Sequence, residues 1–324
     1  MASPSASLAL VSMSSSASSA AVPMLAPTDG AALLALWYAG KDAATVRAYR
    51  ADLETFAAWA GASSVGAALE ALFAADHGDA NAGALRYRGA LLEAGLAPAT
   101  VNRRLAALRS VVQLARLVGR VAWTLEVPGV ESVRYRDTRG PGVGGVRAML
   151  GTLAAREDAK ARRDAAIVRC LFDLALRREE VVGLDLAHLD LEAGTVAVLG
   201  KKRRERERLT LPAPTRAALV AWLAVRGPAP GPLFGNFDRA GKGARLTGRS
   251  VARVVAAAAE GAGLGVVRPN GLRHAAITAA LDAGLDVRRV AKFSRHRDLR
   301  TLTVYDDNRQ DLAGVVAAVV AGVA

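Results

Sequence analysis

Hydrophobic residues recur at helical spacing through the first third of the chain. One such segment follows Thr45, which can cap a helix, and a second covers residues 80–93. A third follows Thr100, which is placed to cap it in the same way. The pattern therefore predicts a helical first domain over residues 29–126.

The second half of the chain combines helical periods with two short alternating stretches. Residues 195–199 and 209–211 alternate between apolar and polar and flank a basic run, which predicts a β-hairpin. Helical periods are predicted at about 146–158, 161–175, 213–226, 248–262, 271–283 and 286–293, with two more helices starting near Arg178 and Leu312. The predicted fold class is mainly α with a small antiparallel sheet (α+β), and residues 146–324 form the second domain.

Two stretches of the chain show neither the helical nor the alternating spacing of apolar residues. The Ser/Ala-rich residues 1–28 cannot bury a core and lack the basic start and apolar centre of an export signal, so we predict a disordered tail. Residues 127–145 contain prolines, glycines and several arginines, which predicts a basic linker between the domains. Its arginines, Arg139 among them, would suit contact with a DNA backbone.

The charge balance points to a polyanionic partner. The chain has 43 Lys and Arg against 30 Asp and Glu, a net charge of +13, and neutralised phosphates release counterions. No stretch reaches the roughly 18 uninterrupted apolar residues that span a bilayer, so we expect no membrane partner. The single cysteine, Cys170, excludes an intramolecular disulfide and lies in an apolar run that predicts burial.

Cutting DNA without a metal or a cofactor needs three kinds of side chain. A nucleophile attacks phosphorus, fixed cations neutralise the five-coordinate transition state, and an acid protonates the departing 5′-oxygen. Tyrosine suits the first task because a phosphotyrosyl ester keeps the energy of the broken bond. Arginine suits the second because its guanidinium holds two phosphate oxygens. Lysine suits the third because it can act as a mobile acid. No His/Cys/Asp cluster has metal-ligand spacing.

The second domain carries these residue types in order. In LALRREEVVGL, Arg177 stands three residues before Glu180, so that both lie on one helical face. In VAVLGKKRRERERLTLP, Lys201 lies where the first strand turns, with Lys202 as the alternative.

The later motifs follow in RPNGLRHAAIT and SRHRDLRTLTVYDDN. Arg273 lies at the start of a helix beside His274, and His296 precedes Tyr305 by nine residues. A single tyrosine with an apolar neighbour is usually a packing residue, as we expect for Tyr49. Tyr305 differs because of the motifs that precede it.

This order of motifs resembles the catalytic domain of tyrosine recombinases of the phage-integrase type. The first domain, with the segment APATVNRRLAALRSVV, resembles their helical SAM-like core-binding domain. Together the resemblance covers about residues 30–312. It implies site-specific cleavage and rejoining of duplex DNA through a 3′-phosphotyrosyl intermediate, without a cofactor, by an Xer-like enzyme.

The resemblance also implies roles for individual residues. Tyr305 would be the nucleophile, Arg177 and Arg273 the phosphate clamp, and Lys201 the acid for the leaving 5′-hydroxyl. His296 would donate a hydrogen bond to the phosphate. Supporting roles would fall to Glu180 and His274.

Three positions depart from the family pattern. Asn270, a candidate catalytic residue, stands where a histidine is usual. Its amide can donate a hydrogen bond to a phosphate oxygen but cannot shuttle a proton. Arg295 replaces a common glycine and either adds a cation near the phosphate or faces solvent. Ala175 replaces another glycine, which we interpret as a packing change without consequence.

Further basic residues are candidates for DNA contact. The third helix of the first domain has arginines and no acid, which favours phosphate contact over a merely solvated basic face. The hairpin adds a second basic cluster. The predicted contacts are Arg103, Arg104, Arg109, Arg139, Lys202, Arg203 and Arg204.

The chain ends in a predicted helix with one apolar stripe, made by Leu312, Val315, Val316, Val319 and Val320. The stripe either packs on its own domain or, as in relatives, docks on a neighbouring protomer in a tetramer on paired DNA sites.

We therefore expect a site-specific recombinase of the cytoplasm, associated with the nucleoid. The alternatives are a DNA-binding relative that no longer cuts and a monomeric topoisomerase of type IB-like chemistry. No motif identifies the target sequence or separates integration from excision and resolution.

Overall fold

The computed structural model describes residues 29–131, 140–200, 203, 205–237, 241–296, 298–299, 302 and 321–322. The chain divides into two compact units, residues 1–134 and 135–324. Both are mainly helical, and the second contains a small antiparallel sheet. The predicted α+β fold class is confirmed.

The first unit is built from helices, which are α1 (Gly30–Tyr38), α2 (Ala43–Trp59), α3 (Val65–Ala74), α4 (His77–Glu93) and α5 (Pro98–Leu117). The predicted caps of α2 and α5 are wrong. Asp42 caps α2 instead of Thr45, accepting a hydrogen bond from the Thr45 backbone N–H at 2.9 Å. Helix α5 begins at Pro98, whose fixed φ and missing N–H suit a first helical position, so Thr100 lies inside the first turn.

The core of the first unit lies among α2, α4 and α5, where Leu53, Tyr87 and Leu105 are fully buried. The chain that follows α5 packs on this core. Val127 is buried there, and the Asn102 side chain holds Val130, donating to its carbonyl oxygen and accepting from its N–H. Residues 127–130, within the predicted linker, therefore pack against the first unit.

The second unit begins with helices α6 (Gly142–Ala154), α7 (Ala159–Asp173) and α8 (Arg178–Val182). A 3-10 turn at Leu186–His188 leads to strands β1 (Leu189–Asp190), β2 (Thr195–Leu199) and β3 (Arg206–Thr210). The remaining helices are α9 (Ala213–Arg226), α10 (Gly248–Gly261), α11 (Pro269–Asp282) and α12 (Val287–Ser294).

The sheet has the order β1-β2-β3 and is antiparallel throughout. Leu199 pairs with Arg206, so β3 begins inside the basic run that the sequence assigns to the turn. Val196 and Val198 are buried in the core, which lies mainly around α7. Cys170 of α7 is buried as predicted, and its burial raises the pKa of the thiol to about 12.

A close backbone contact fixes the start of the second unit. Gly140 has a φ of +60°, and a Cβ at this position would collide with the carbonyl oxygen of Gly271 in α11. Only glycine satisfies both conditions without strain. Helix α6 starts two residues later, at Gly142, inside the stretch predicted as linker.

The described part of the chain lacks both a membrane span and a metal-binding cluster. No helix in it combines the length and the apolar composition needed to cross a membrane. The same residues contain no group of three or more His, Cys, Asp or Glu side chains that could hold a metal ion.

Candidate active site

Arg177 and Glu180 form a short-range ion pair at the start of α8. Glu180 Oε1 accepts a hydrogen bond from Arg177 Nη1 at 2.7 Å, and Oε2 accepts one from the Arg177 backbone N–H at 2.9 Å. The carboxylate is buried, whereas about a third of the Arg177 side chain, 29%, is exposed. Glu180 therefore caps α8 and orients the guanidinium.

Arg273 of α11 is 2% exposed and connects two separate turns of the chain. Its Nη1 donates to the carbonyl oxygen of Ala175, in the turn between α7 and α8. Its Nη2 donates to the carbonyl oxygen of Ser294, at the end of α12. These contacts bring the turn that carries Arg177 and the segment that carries His296 to the same arginine.

Arg295 is buried and does not face solvent. Its side chain is 2% exposed and donates to Glu180 Oε2 at 2.9 Å and to the Ala175 carbonyl oxygen at 2.8 Å. Further donations go to the carbonyl oxygens of Leu174 and Phe293. The expectation that Arg295 faces solvent was wrong, because its left-handed backbone, with a φ of +57°, accompanies a side chain that is directed into the protein. The alternative, that it adds a positive charge near the phosphate, stays a prediction.

The imidazole of His296 lies beside Arg273, with 3.5 Å between His296 Nε2 and Arg273 Nη2. An arginine only donates, so Nε2 accepts, and Nδ1 carries the proton 2.8 Å from the Ser294 hydroxyl oxygen. That hydroxyl donates to the carbonyl oxygen of Val290. Burial, with the positive charges of Arg273 and Arg177, lowers the pKa of His296 to about 4, so the ring is neutral at pH 7.

Asn270 and His274 are neighbours one turn apart on α11. The Asn270 amide nitrogen lies 2.6 Å from His274 Nε2, which places the proton of a neutral His274 ring on Nδ1. Asn270 thus orients an imidazole even though it cannot carry a proton itself.

The electrostatics of the cluster favour an anion. Burial alone would raise the pKa of Glu180, but the Arg295 guanidinium and two hydrogen bonds from Arg177 hold it below its usual range. Two guanidinium groups, those of Arg177 and Arg295, contact the Glu180 carboxylate, and Arg273 shares the Ala175 carbonyl oxygen with Arg295. The cluster thus holds three guanidinium groups and one carboxylate. The surplus of positive charge can neutralise a phosphate.

Several predicted site residues lie outside the described residues. Among them are the expected nucleophile, Tyr305, and the expected acid, Lys201, together with Lys202, Arg204, Arg139 and the apolar stripe that starts at Leu312.

The predicted DNA contacts of the first unit have protein partners as well. Arg103 Nη1 donates to Asp52 at 2.5 Å, and Arg104 Nε lies 3.8 Å from the same carboxylate. Asp52 is buried, and this burial raises its pKa against the attraction of both arginines. Helix α5 contains no acidic residue of its own. The carboxylate that pairs with its arginines is Asp52 of α2. Arg109 donates to the carbonyl oxygen of Val127 at 2.7 Å.

Arg203 belongs to the second basic cluster and is about half exposed, at 45%. Its Nη1 lies 3.2 Å from Glu207 Oε2 on β3.

Sequence reasoning did not identify two residues of the cluster. Ser294 supports His296 through its hydroxyl and Arg273 through its carbonyl. Ala175 is not a neutral packing change, because its φ of +44° is a left-handed conformation that a glycine adopts without strain. The glycine that is usual at this position in the family is the signal that indicates such a backbone.

Comparison with known proteins identifies the family. The model described as "Phage integrase family" matches residues 146–311. The chain is similar to a tyrosine recombinase of Synechocystis sp., with 43% identity over 239 residues that cover 72% of this chain and 76% of the relative. It is also similar to a tyrosine recombinase of Synechococcus elongatus, with 40% identity over 277 residues, 83% of this chain and 86% of the relative.

Solved structures support the fold. A XerH site-specific recombinase bound to a palindromic difH substrate superposes with a TM-score of 0.67 at 18% identity, covering 89% of this chain and 84% of that one. A lambda integrase dimer bound to a COC′ core site gives a TM-score of 0.62 at 12% identity, covering 86% and 76%. With the family match and two relatives at 40% identity or more, these findings show that the chain belongs to the phage integrase family and is a tyrosine recombinase.

Proposed function

We propose that this recombinase cleaves and rejoins duplex DNA at a specific site, with Tyr305 as the nucleophile and Arg177 and Arg273 as the phosphate clamp. The observation that carries the proposal is the meeting of Arg177, Arg273 and His296 around the turns at Ala175 and Ser294. These residues are far apart in the sequence, with 98 positions between Ala175 and Arg273 and 118 between Arg177 and Arg295.

The clamp residues have donors for a phosphate. Among the described residues, each terminal nitrogen of Arg177 meets one acceptor, Glu180 at Nη1 and the Arg295 carbonyl oxygen at Nη2, 3.2 Å away. Each of these nitrogens carries two N–H groups, so the guanidinium keeps donors for two phosphate oxygens. His296 is neutral in the free protein, and an anionic phosphate beside it would raise its pKa and make it a donor.

The proposed reaction conserves the number of phosphoester bonds. The Tyr305 hydroxyl releases its proton to solvent, and its oxygen forms a bond to phosphorus while the bond from phosphorus to the 5′-oxygen breaks. Lys201 gives the departing oxygen its proton. Rejoining is the reverse attack by a 5′-hydroxyl, which comes from a different strand in recombination. Because the phosphotyrosyl ester keeps the bond energy, no cofactor is needed.

A covalent adduct on nicked DNA tests this proposal. Duplexes tiled across the DNA that flanks the gene, nicked at successive positions so that the cut fragment is lost, are incubated with the protein and run on a denaturing gel. Wild type should form an adduct on one site, and Y305F should form none. The control is Y49F, because Tyr49 stacks on Trp37 in the first unit, with ring centroids 5.0 Å apart, and should not affect the chemistry.

Three other results would contradict the proposal in different ways. DNA binding without an adduct from either protein would favour a non-catalytic relative, for which Asn270 is the specific reason. Relaxation of supercoiled DNA of any sequence would favour a topoisomerase. An adduct from Y305F would refute the assignment of the nucleophile.

We also propose that the protein acts on double-stranded DNA as a tetramer on paired sites, within the cytoplasm and nucleoid. Support for DNA as the partner comes from the net charge of +13 and from relatives that were crystallised on DNA. The apolar stripe beginning at Leu312 would provide the contact between protomers. A chain truncated after Asp311 should remain monomeric on DNA in light scattering, whereas a stripe that packs on its own domain predicts loss of folding stability.

A further inference from the structure

We propose that Arg295 is a positioning residue, which holds both arginines of the phosphate clamp in their catalytic geometry. The inference rests on the proposed cleavage function and adds to it a residue that does not itself touch the phosphate. Its side chain and its backbone each contribute to the arrangement, and the contacts divide into those toward Arg177 and those toward Arg273.

Arg295 holds Arg177 in two ways, through its side chain by way of Glu180 and through its own carbonyl oxygen. Its Nη2 donates to Glu180 Oε2 at 2.9 Å, on the carboxylate whose other oxygen, Oε1, accepts from Arg177 Nη1 at 2.7 Å. Its own carbonyl oxygen accepts from Arg177 Nη2 at 3.2 Å. A rotation of the Arg177 guanidinium would have to break contacts to both Glu180 and Arg295.

Toward Arg273, Arg295 shares an anchor. The carbonyl oxygen of Ala175 accepts from Arg273 Nη1 and from Arg295 Nη2. The second anchor of Arg273, the Ser294 carbonyl oxygen, belongs to the residue directly before Arg295. Arg295 therefore fixes the two turns to which Arg273 is bound.

The backbone conformation explains how an arginine at a usual glycine position can reach the turn between α7 and α8. A φ of +57° ends α12 and lets the side chain pass back across the turn between α7 and α8. There the guanidinium also reaches the carbonyl oxygens of Leu174 and Phe293, at 3.1 and 3.0 Å. A glycine would adopt the same backbone more readily but would supply none of these donors.

The charge of Arg295 also acts on Glu180. The carboxylate is buried, and the attraction of Arg295 is the largest of the effects that lower its pKa. Without Arg295, burial would raise the pKa of Glu180, and the carboxylate would lose its charge at a higher pH. A protonated Glu180 binds Arg177 less tightly, so cleavage should then fail at a pH at which wild type still works.

Two substitutions distinguish the effect of the Arg295 guanidinium from that of its left-handed backbone. R295G keeps the left-handed backbone without strain and removes every side-chain contact. R295K keeps the positive charge but cannot serve Glu180 and three carbonyl oxygens with one ammonium group, and it provides a folded variant if R295G does not fold.

R163K is the matched control. Arg163 forms a buried pair with Asp164 in the same unit, with a distance of 2.7 Å and side-chain exposures of 4% and 6%, and it contacts none of the clamp residues in the described structure.

Four quantities are measured on these variants. They are the single-turnover rate of adduct formation at saturating DNA, the dependence of this rate on pH, the Kd for DNA, and the affinity for inorganic phosphate by thermal shift. We expect R295G to form the adduct roughly 10- to 100-fold more slowly, since small displacements of positioning groups cost this much. The Kd for DNA should be unchanged, because many other phosphate contacts determine it. The acid limb of the pH–rate profile should move to higher pH, and R295K should be intermediate.

The outcomes are distinct. A rate within about twofold of wild type and an unshifted acid limb for R295G would overturn the inference, as would a loss of rate in R163K equal to that in R295K at equal thermal stability. If wild type itself forms no adduct, the proposed function fails. The phosphate affinity then decides on Arg295, since weaker binding by R295G supports its positioning role and equal binding refutes it.

Discussion

The guanidinium of Arg295 donates a hydrogen bond to the carbonyl oxygen of Ala175 at 2.8 Å, and both residues have left-handed backbone conformations. Their φ values are +57° and +44°, and no other non-glycine residue in the described part of the chain has a positive φ. Both replace glycines that are usual in the family. Two strained backbone positions therefore meet beside the proposed phosphate clamp.

Replacing Ala175 with glycine should stabilise the protein. A Cβ in the left-handed region costs about 1–2 kcal/mol, and the greater freedom of glycine in the unfolded chain returns about 0.4–1 kcal/mol of that. We therefore expect A175G to raise the free energy of unfolding by roughly 0.5–1 kcal/mol in urea titrations.

The control for this substitution is A166G, at a buried helical alanine in α7, which should lower the free energy of unfolding by about 1 kcal/mol or more. A loss of stability in A175G would mean that the left-handed backbone at this position is not strained.

The stability of the protein should depend on His296 below neutral pH. The pKa of His296 is about 4 in the folded state against an ordinary value of 6.5, so the unfolded chain takes up a proton first as the pH falls. The contribution is complete above pH 6.5 and is lost as the pH falls toward 4. The free energy of unfolding of H296N, measured between pH 4 and 8, should therefore decline less than that of wild type.

The histidine control is H77N, since His77 is exposed on the first unit. An equal change of slope in H77N and H296N would show that the effect does not come from the half-buried His296 ring.

Arg103 and Arg104 should contribute unequally to DNA binding. The Arg103 side chain is 46% exposed and that of Arg104 is 18% exposed, although both pair with Asp52. If Arg103 contacts a phosphate, R103Q should reduce the slope of log K against log salt by about one, and R104Q by less. Titrations between low and moderate salt would measure this, and the reverse order would refute the assignment of the exposed arginine.

A histidine at position 270 should raise the rate of cleavage. Asn270 is exposed and orients His274, but an amide cannot pass on a proton. In N270H, an imidazole stands where relatives have one, and single-turnover adduct formation on the nicked duplex should become faster. The variant H274N shows whether the effect depends on the neighbouring imidazole of His274. An unchanged rate in N270H would mean that the present site already supplies this proton transfer.

The sequence predicts most of the helices and the β2–β3 hairpin of this protein, because the spacing of apolar residues shows which face of an element is buried. It does not single out α1, α3 or the two-residue strand β1. It predicts the ends of helices less well, since the residue that caps a helix is decided by competing neighbours, as Asp42 and Pro98 show.

The candidate site divides in the same way. The order of motifs predicts Arg177, Arg273 and His296 as site residues, and the structure brings these three side chains together. The burial of Arg295 could not be predicted, because a single left-handed residue reverses where a side chain points. The pairing of Arg103 with Asp52 joins residues 51 positions apart, and no local pattern records such a contact.

The contact between Gly140 and Gly271 affects how the second unit can be prepared alone. The family model matches from residue 146, but a fragment starting there would lack Gly140 and the first turn of α6. The backbone of α11 that carries Arg273 would then lose the segment packed against it. A fragment intended for crystallisation or labelling of the catalytic unit should therefore begin before Gly140, and comparing the two lengths by hydrogen exchange at α11 would reveal how far this short segment protects the helix.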